Sequence, residues 1–356
     1  TGRSNRMEPT ICKKDMGCRR EVTVGRYLDP FDGFREKEAA FEIRHDQMTG
    51  VTSRILPYRL KVPQKQDVGT YIDRSPEALC PFCPELFEKI TPRFTPDLVA
   101  EGKFRHGMAL LFPNAFPYDR YNTVVRFSPQ HYVPLLELTP ELTLDGFLVC
   151  RDYFRRMVEL HPELRYCSIN WNYMPPAGGG LLHPHIQTVI GETPTRFMQN
   201  LCDSAGRYRE SEGGNLWEDF IAYEKEQGER FIADTGAVAW LAAFAPKGMA
   251  GEVSFIFRKR RSIFALTEGD FIELLTGFSR IFAYLEKSNF ISFNMTLYAT
   301  IQEDDTFRVQ GKLVPRFVIL PLETSDLNYF EKLHDEIICP VMPEELCRDL
   351  KPWFGD

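Results

Sequence analysis

His183, His185 and Gln187 alternate in the run Gly178-Gly179-Gly180-Leu181-Leu182-His183-Pro184-His185-Ile186-Gln187, a spacing that puts all three on one face of a strand. An imidazole with a pKa near 6.5 is mostly neutral at pH 7, so it can attack phosphorus without a separate base. His185 is the candidate nucleophile. A phosphohistidine-type intermediate divides group transfer into two displacements, and the Gln187 amide can donate a hydrogen bond to the phosphoryl or bridging oxygen in both. Gln187 cannot give up a proton. The pattern therefore favours leaving groups that need little protonation, phosphate or sulfate, and transfer over amide or ester hydrolysis. The three glycines allow backbone N–H groups to approach an anion closely, which makes Gly179 and Gly180 candidate substrate contacts. A bare His-x-His is more often the wet side of an amphipathic strand. Here the glycines before it, the amide after it and the small number of histidines, seven in the chain, favour chemistry.

Cys80-Pro81-Phe82-Cys83 is a CxxC, a pattern shared by zinc half-sites, redox pairs and buried thiols. With His131, in Phe127-Ser128-Pro129-Gln130-His131, and His183 it supplies Cys2His2. Four protein ligands leave no position for water, so the expected Zn2+ is structural, tying the N-terminal segment to the strand that carries His185. Cys150, Cys167, Cys202, Cys339 and Cys347 lack ligand-like spacing and read as ordinary thiols.

Residues 8–75 are polar with no sustained period and predict loops and a few short strands. Within them Ser53-Arg54-Ile55-Leu56-Pro57-Tyr58-Arg59 is extended, placing Arg54 and Arg59, both candidate substrate contacts, on a strand or its end. Four strands are predicted at Met108–Phe112, Thr123–Phe127, Tyr166–Tyr173 and Ile186–Ile190. Between the second and third, Thr139 and Pro140 can cap and open a helix running to about Leu164. The second half repeats the order, with strands near Val238–Ala245 and Val253–Phe257, a helix over about Glu268–Glu286, then strands Ile291–Thr300 and Leu313–Leu320. Tyr166-Cys167-Ser168-Ile169-Asn170 answers to Phe290-Ile291-Ser292-Phe293-Asn294. The expected fold is α+β: two related tandem units, each an antiparallel sheet with a packed helix, fused into one body. The expected divisions are an N-terminal extension over 1–75, a first unit over 76–200 with the metal site and the histidine row, and a degenerate second unit over 201–356. Only the first unit carries histidines at the decisive strand.

The 356 residues, against a typical domain of about 150, suit two domains or one enlarged one. Lys plus Arg number 43 and Asp plus Glu 50, a net charge of −7, so the mean field repels phosphate polymers and no nucleic-acid partner is expected. Arg258-Lys259-Arg260-Arg261 reads as a solvated strand end. Apolar runs are too short to cross a bilayer and no N-terminal apolar signal core is present, so no membrane partner and a cytoplasmic location are expected. Nine cysteines fit reduced thiols or metal ligands better than a disulfide framework.

His183-Pro184-His185-Ile186-Gln187 resembles the HPHxQ motif of the galactose-1-phosphate uridylyltransferase branch of the histidine-triad superfamily, whose second histidine becomes nucleotidylated. The resemblance implies His185 as nucleophile, Gln187 as transition-state donor, and Cys80, Cys83, His131 and His183 as zinc ligands. Softer matches follow. Leu56-Pro57-Tyr58-Arg59 is similar to the family's SPHR, making Arg59 a phosphate contact; Asn114 in Phe112-Pro113-Asn114-Ala115-Phe116 is similar to its ribose-contact segment; Asn172 stands where the family has an intermediate-stabilising asparagine. Departures bear on the substrate. Lys312–Phe317 has no histidine for a second metal, the family's hexose-recognition segment is absent, and Ala115 replaces a ribose-contacting acid. Adenylyl-transferring relatives share the two-repeat form, so the resemblance implies a nucleotidyltransferase leaning to AMP transfer from an ADP-sugar or adenylylsulfate to phosphate or a sugar phosphate, with a UDP-glucose:hexose-1-phosphate uridylyltransferase as the alternative. A hydrolase is less favoured because Gln187 replaces a third histidine. A non-catalytic nucleotide-binding protein is the reading from another class. The resemblance also implies a homodimer.

Overall fold

In the computed structural model, which describes residues 11–58, 64 and 66–355, strands β1 (Cys18–Asp29) and β2 (Arg35–Asp46) pair antiparallel over twelve positions. These are longer than the short strands expected. The reason is burial: nearly all of β1 is exposed on both faces, so no alternation marks it in the sequence. β3 (Val51–Ile55) alternates buried and half-buried residues and pairs with β2. Helices α1 (Val68–Arg74) and α2 (Pro84–Ile90) follow, α2 opening on Pro84 directly after Cys83.

The main body is a ten-stranded antiparallel sheet. Its first half comprises β4 (Phe104–His106), β5 (Ala109–Pro113), β6 (Asn122–Arg126), helix α3 (Pro140–Leu160), β7 (Tyr166–Tyr173) and β8 (His185–Gly191). Helices α4 (Arg196–Glu212) and α5 (Leu216–Gln227) intervene, and the second half comprises β9 (Phe231–Asp234), β10 (Val238–Ala242), β11 (Val253–Phe257), helix α6 (Glu268–Lys287), β12 (Ser292–Thr300) and β13 (Gln310–Arg316). The spatial order is β4-β5-β6-β8-β7-β12-β13-β11-β10-β9. Read outwards from the central β7–β12 pair, both directions give the same sequence of strands within each half. That pair is in register from Phe293 against Tyr173 to Thr300 against Tyr166.

Helix starts follow the local chemistry. The Thr139 hydroxyl accepts from Leu142 N–H with Pro140 at the first position, and Thr267 and Asp270 form a reciprocal capping box on α6. Alternate strand residues such as Ile169, Trp171, Ile186, Phe293 and Leu297 are buried in one core with Phe147 and Phe154 of α3 and Phe278 and Phe282 of α6. The opposite sheet face carries polar residues near the centre. Towards one end it is covered by α4 and α5 through Met198, Leu201 and Trp217 against Leu241 and Ile256.

The C-terminal segment adds a ribbon of β14 (Val318–Ile319) and β15 (Thr324–Ser325), helix α7 (Tyr329–His334), β16 (Glu336–Cys339) and helix α8 (Pro343–Phe354). β16 lies parallel to β3, joining the chain's last strand to its N-terminal sheet. The basic run is ion-paired: Arg258 with Asp234, Arg260 with Asp270 and Arg261 with Asp305. No described helix is long and apolar enough to cross a membrane.

Candidate active site and metal centre

His185 is the first residue of β8, opposite Arg126 of β6. Its Nδ1 lies 2.8 Å from the His183 carbonyl oxygen. A carbonyl only accepts, so Nδ1 carries the proton and Nε2 keeps a free lone pair. Burial lowers the His185 pKa from its ordinary value, which favours the neutral ring. The Phe82 ring stands edge-on to the imidazole at 5.2 Å between centroids, covering one side of it.

One pleat further along the same face is Gln187. Its Oε1 accepts from Asn114 Nδ2 at 3.3 Å, and the same Nδ2 donates to Asn122 Oδ1 at 2.7 Å. The Phe116 N–H donates to Asn114 Oδ1 at 2.9 Å, and Asn122 Nδ2 donates to the Thr188 carbonyl at 2.7 Å. Every amide orientation in this chain is fixed by a backbone group of one polarity. The result is a Gln187 whose oxygen is held and whose Nε2–H2 faces outward as a donor. Asn122 was not indicated by any motif; it reaches Gln187 only through the β6–β8 pairing.

Gln187 lines a cavity of about 300 Å³ on the sheet face away from α3, with Asn170 and Asn172 from β7 and Thr296 and Tyr298 from β12. Tyr118 and Asp119 line it from the turn before β6. Asn172 Oδ1 accepts from Asn294 Nδ2 at 2.7 Å. The glycines divide their roles. Gly178 takes φ +80°, and its N–H bonds Pro175 O; Gly179 N–H bonds Met174 O at 3.2 Å; a Cβ on Gly179 would sit 2.9 Å from that same oxygen. Gly180 has open space around it and no backbone partner for its N–H among the described residues. Arg54 lies elsewhere. On β3, it pairs with Glu336 at 2.7 Å, its guanidinium over the Phe330 ring, and it does not line this cavity. Arg59 lies outside the described residues.

Cys80, Cys83, His131 and His183 are all buried, with their ligand atoms within 4.8 Å of one another. Cys83 Sγ is 3.3 Å from His131 Nδ1 and 3.7 Å from His183 Nδ1, and Cys80 Sγ is 3.8 Å from His183 Nδ1. A tetrahedral ion with metal–sulfur and metal–nitrogen bonds of about 2.3 and 2.05 Å has sulfur–nitrogen edges of roughly 3.6 Å, so the set fits such an ion. Both rings offer Nδ1 because Nε2 is bonded to a backbone carbonyl, Ser75 for His131 at 2.5 Å and Ser128 for His183 at 2.8 Å. Burial pushes the His183 pKa down to about 4 and, with Cys80 beside it, pushes the Cys83 thiol up to about 12. The His183 imidazole is thus ready as a ligand, whereas the Cys83 thiol needs a cation to release its proton. Phe82 of the same loop touches both His183 and His185 edge-on, so the ligand set and His185 share a wall.

No protein-family model matches the chain. An uncharacterised protein of Archaeoglobus fulgidus is 32% identical over 345 residues, 96% of this chain and 100% of that one. Among solved structures, an ADP-glucose phosphorylase from Arabidopsis thaliana with bound ADP-glucose matches with a TM-score of 0.64 at 17% identity, over 87% of this chain and 97% of that one. A uridylyltransferase matches with a TM-score of 0.62 at 19% identity, again over 87% and 97%. The chain belongs to one family with the Archaeoglobus protein, and it shares the fold of the ADP-glucose phosphorylase and the uridylyltransferase.

Proposed function

We propose that the protein is a nucleotidyltransferase that works through a covalent nucleotidyl-His185, moving AMP from an ADP-sugar or adenylylsulfate to phosphate or a sugar phosphate. One observation carries the reading. The His185 Nδ1–H is held by the His183 carbonyl, so a neutral Nε2 lone pair stands one pleat from an amide donor whose oxygen is already tethered. In the first displacement Nε2 bonds the α-phosphorus as the bond to the bridging oxygen breaks, and that oxygen departs as part of the sugar phosphate from an ADP-sugar or as sulfate from adenylylsulfate. The positive charge gained by the ring is spread towards the Nδ1–H···O=C bond. In the second, an oxygen of the acceptor bonds phosphorus and the P–Nε2 bond breaks. Gln187 Nε2–H2 donates to the phosphoryl oxygens in both steps, and Asn172 and Gly180 hold the remaining ones.

Asn114 keeps a substrate role as the tether of Gln187, and Asp119 on the cavity wall is the acid available to ribose hydroxyls. Zn2+ fills the Cys2His2 set and fixes the Phe82 loop. The two sheet halves are tandem units of one ancestral plan, within the divisions 1–75, 76–200 and 201–356, and the molecule works as a homodimer in the cytoplasm. Uridylyl transfer from UDP-glucose to a hexose 1-phosphate is the second reading, since the fold is shared with a uridylyltransferase.

Intact-protein mass spectrometry after incubation with ADP-glucose, adenylylsulfate or UDP-glucose tests this directly. The expected result is an AMP-sized adduct on the wild type and none on His185→Gly. A UMP-sized adduct instead selects the uridylyl reading. No adduct from any donor by a folded, zinc-loaded protein leaves a binding role.

A further inference from the structure

Asn294 lies on β12 in the second unit, directly opposite Asn172 of β7 in the first. Its Nδ2 donates to two acceptors, Asn172 Oδ1 at 2.7 Å and the Ala177 carbonyl, just before the glycine turn, at 2.8 Å. Its Oδ1 accepts from Arg316 Nη1 at 2.6 Å. The remaining edge of the Arg316 guanidinium is clasped by Asp326, Nε to Oδ2 at 2.6 Å and Nη2 to Oδ1 at 2.7 Å. Asp326 is 4% exposed, and this pair holds Arg316 well within its charged range.

The polarity of each group leaves one arrangement. Arginine only donates, so Asn294 must turn its oxygen to Arg316; the Ala177 carbonyl only accepts, so Asn294 must turn its nitrogen the other way. Asn172 then has to meet that nitrogen with its oxygen. Its own Nδ2, which has no protein partner among the described residues, is left on the cavity side. A freely rotating Asn172 could present either end to a ligand, and an oxygen facing a phosphoryl group would repel it.

We propose that Asp326, Arg316 and Asn294 are positioning residues that lock Asn172 as a hydrogen-bond donor to the transferred phosphoryl group and pin the glycine turn through Ala177. The proposal rests on the nucleotidyl-transfer reading. It gives the second unit, which has no histidine on its corresponding strand, a task in the first unit's site. That task is electrostatic preorganisation: the donor's direction is set before substrate arrives, so none of the transition-state stabilisation is lost to turning it.

Two measurements on the full chain test it. In the first, nucleotidyl-His185 formation is timed. Asn294→Asp can only accept, which reverses Asn172, and is expected to slow transfer ~10-fold or more. Arg316→Lys, still donor-only, should retain most of the rate, while Arg316→Met should fall as far as Asn294→Asp. In an Asn172→Ala background Asn294→Asp should cost clearly less than in the wild type, only the part carried by the Ala177 bond, whereas a merely structural role would give fully additive losses. Additive losses, or a wild-type rate in Asn294→Asp, overturn the proposal. In the second, the side-chain amides are followed by NMR with ¹⁵N-asparagine. The Asn294 carboxamide should resist solvent exchange in the wild type and lose that protection in Arg316→Met; exchange at the solvent rate in both overturns the relay. If no donor labels the wild type, the transfer reading falls and the amide measurement alone decides whether the relay exists.

Discussion

Gln187 differs from a general acid in having nothing to release, so its contribution is a hydrogen bond whose direction is preset. Asn114, itself held by the Phe116 N–H, takes the glutamine oxygen and leaves the nitrogen free to donate. Gln187→Glu, an acceptor at neutral pH, is therefore expected to lower the rate of adduct formation by ~10²–10³-fold while leaving the melting temperature close to wild type; a loss below threefold would remove Gln187 from the transition state. The candidate row and the CxxC stand out in the sequence because their signal is local: alternation over His183, His185 and Gln187, and two cysteines three apart. Of the residues that orient them, Asn114 is marked only as a ribose contact by resemblance, and Asn294 not at all. Asn114 is 73 residues from Gln187 and Asn294 is 122 from Asn172, and in each case only strand pairing makes them neighbours. Phe82 was visible inside its CxxC, but nothing in the sequence says that its ring lies against His185.

At the scale of elements, the Cys80–Cys83 loop and the start of β8 form one mechanical piece. His183 ties the strand to the ligand set, and Phe82 fills the space between the set and His185. Without an ion, the four packed side chains of this set have no bond holding them together. Cys83→Ser, or chelation of the wild type, should cost about 3 kcal/mol, read as a fall of roughly 4 °C in melting temperature. Stability should suffer more than chemistry, so protein that is still folded at low temperature should continue to form the adduct, more slowly; metal analysis of purified protein should give one zinc per chain, lost in the variant. A Cys83→Ser protein with unchanged melting temperature would refute a structural ion. The strands flanking this piece were legible because one face of each meets α3 or α6, which imposes alternation. The β1–β2 ribbon escaped because neither face is buried, and β16 because a four-residue parallel strand pairs with a segment some 282 residues earlier, as Arg54 and Glu336 show.

The molecule as a whole is closed by charge at the place where its two sheets meet. Arg44 of β2 is fully buried and makes paired bonds of 2.9 Å to both oxygens of Glu344 at the start of α8, with Glu42 on its Nε at 2.7 Å. Arg230, before β9, reaches the same Glu344 at 3.2 Å and Glu224 of α5 at 2.7 Å. Phe244 has one guanidinium 5.1 Å from its ring centroid on behalf of each arginine. Val51 and Ile337 also pack on Phe244 and Ala245 at this junction, but the buried charges tie β2 to α8 directly, so removing one should be felt by the entire N-terminal sheet. Arg44→Met is expected to cost ~3–5 kcal/mol in urea unfolding, because Glu344 and Glu42 stay behind short of a partner, and to open the β1–β3 segment to limited proteolysis. Replacing Glu344 by leucine in the same protein should return part of that loss. Burial alone would raise the Glu344 pKa, but Arg44 and Arg230 hold it below the ordinary value. A depressed carboxylate stabilises the fold above its unfolded pKa of about 4.3 and loses that contribution as pH falls through the depressed value. The stability gap between wild type and Glu344→Gln should therefore be full at pH 7 and shrink only below about pH 4; a gap that is constant down to the acid transition would show that Glu344 acts by shape and not by charge.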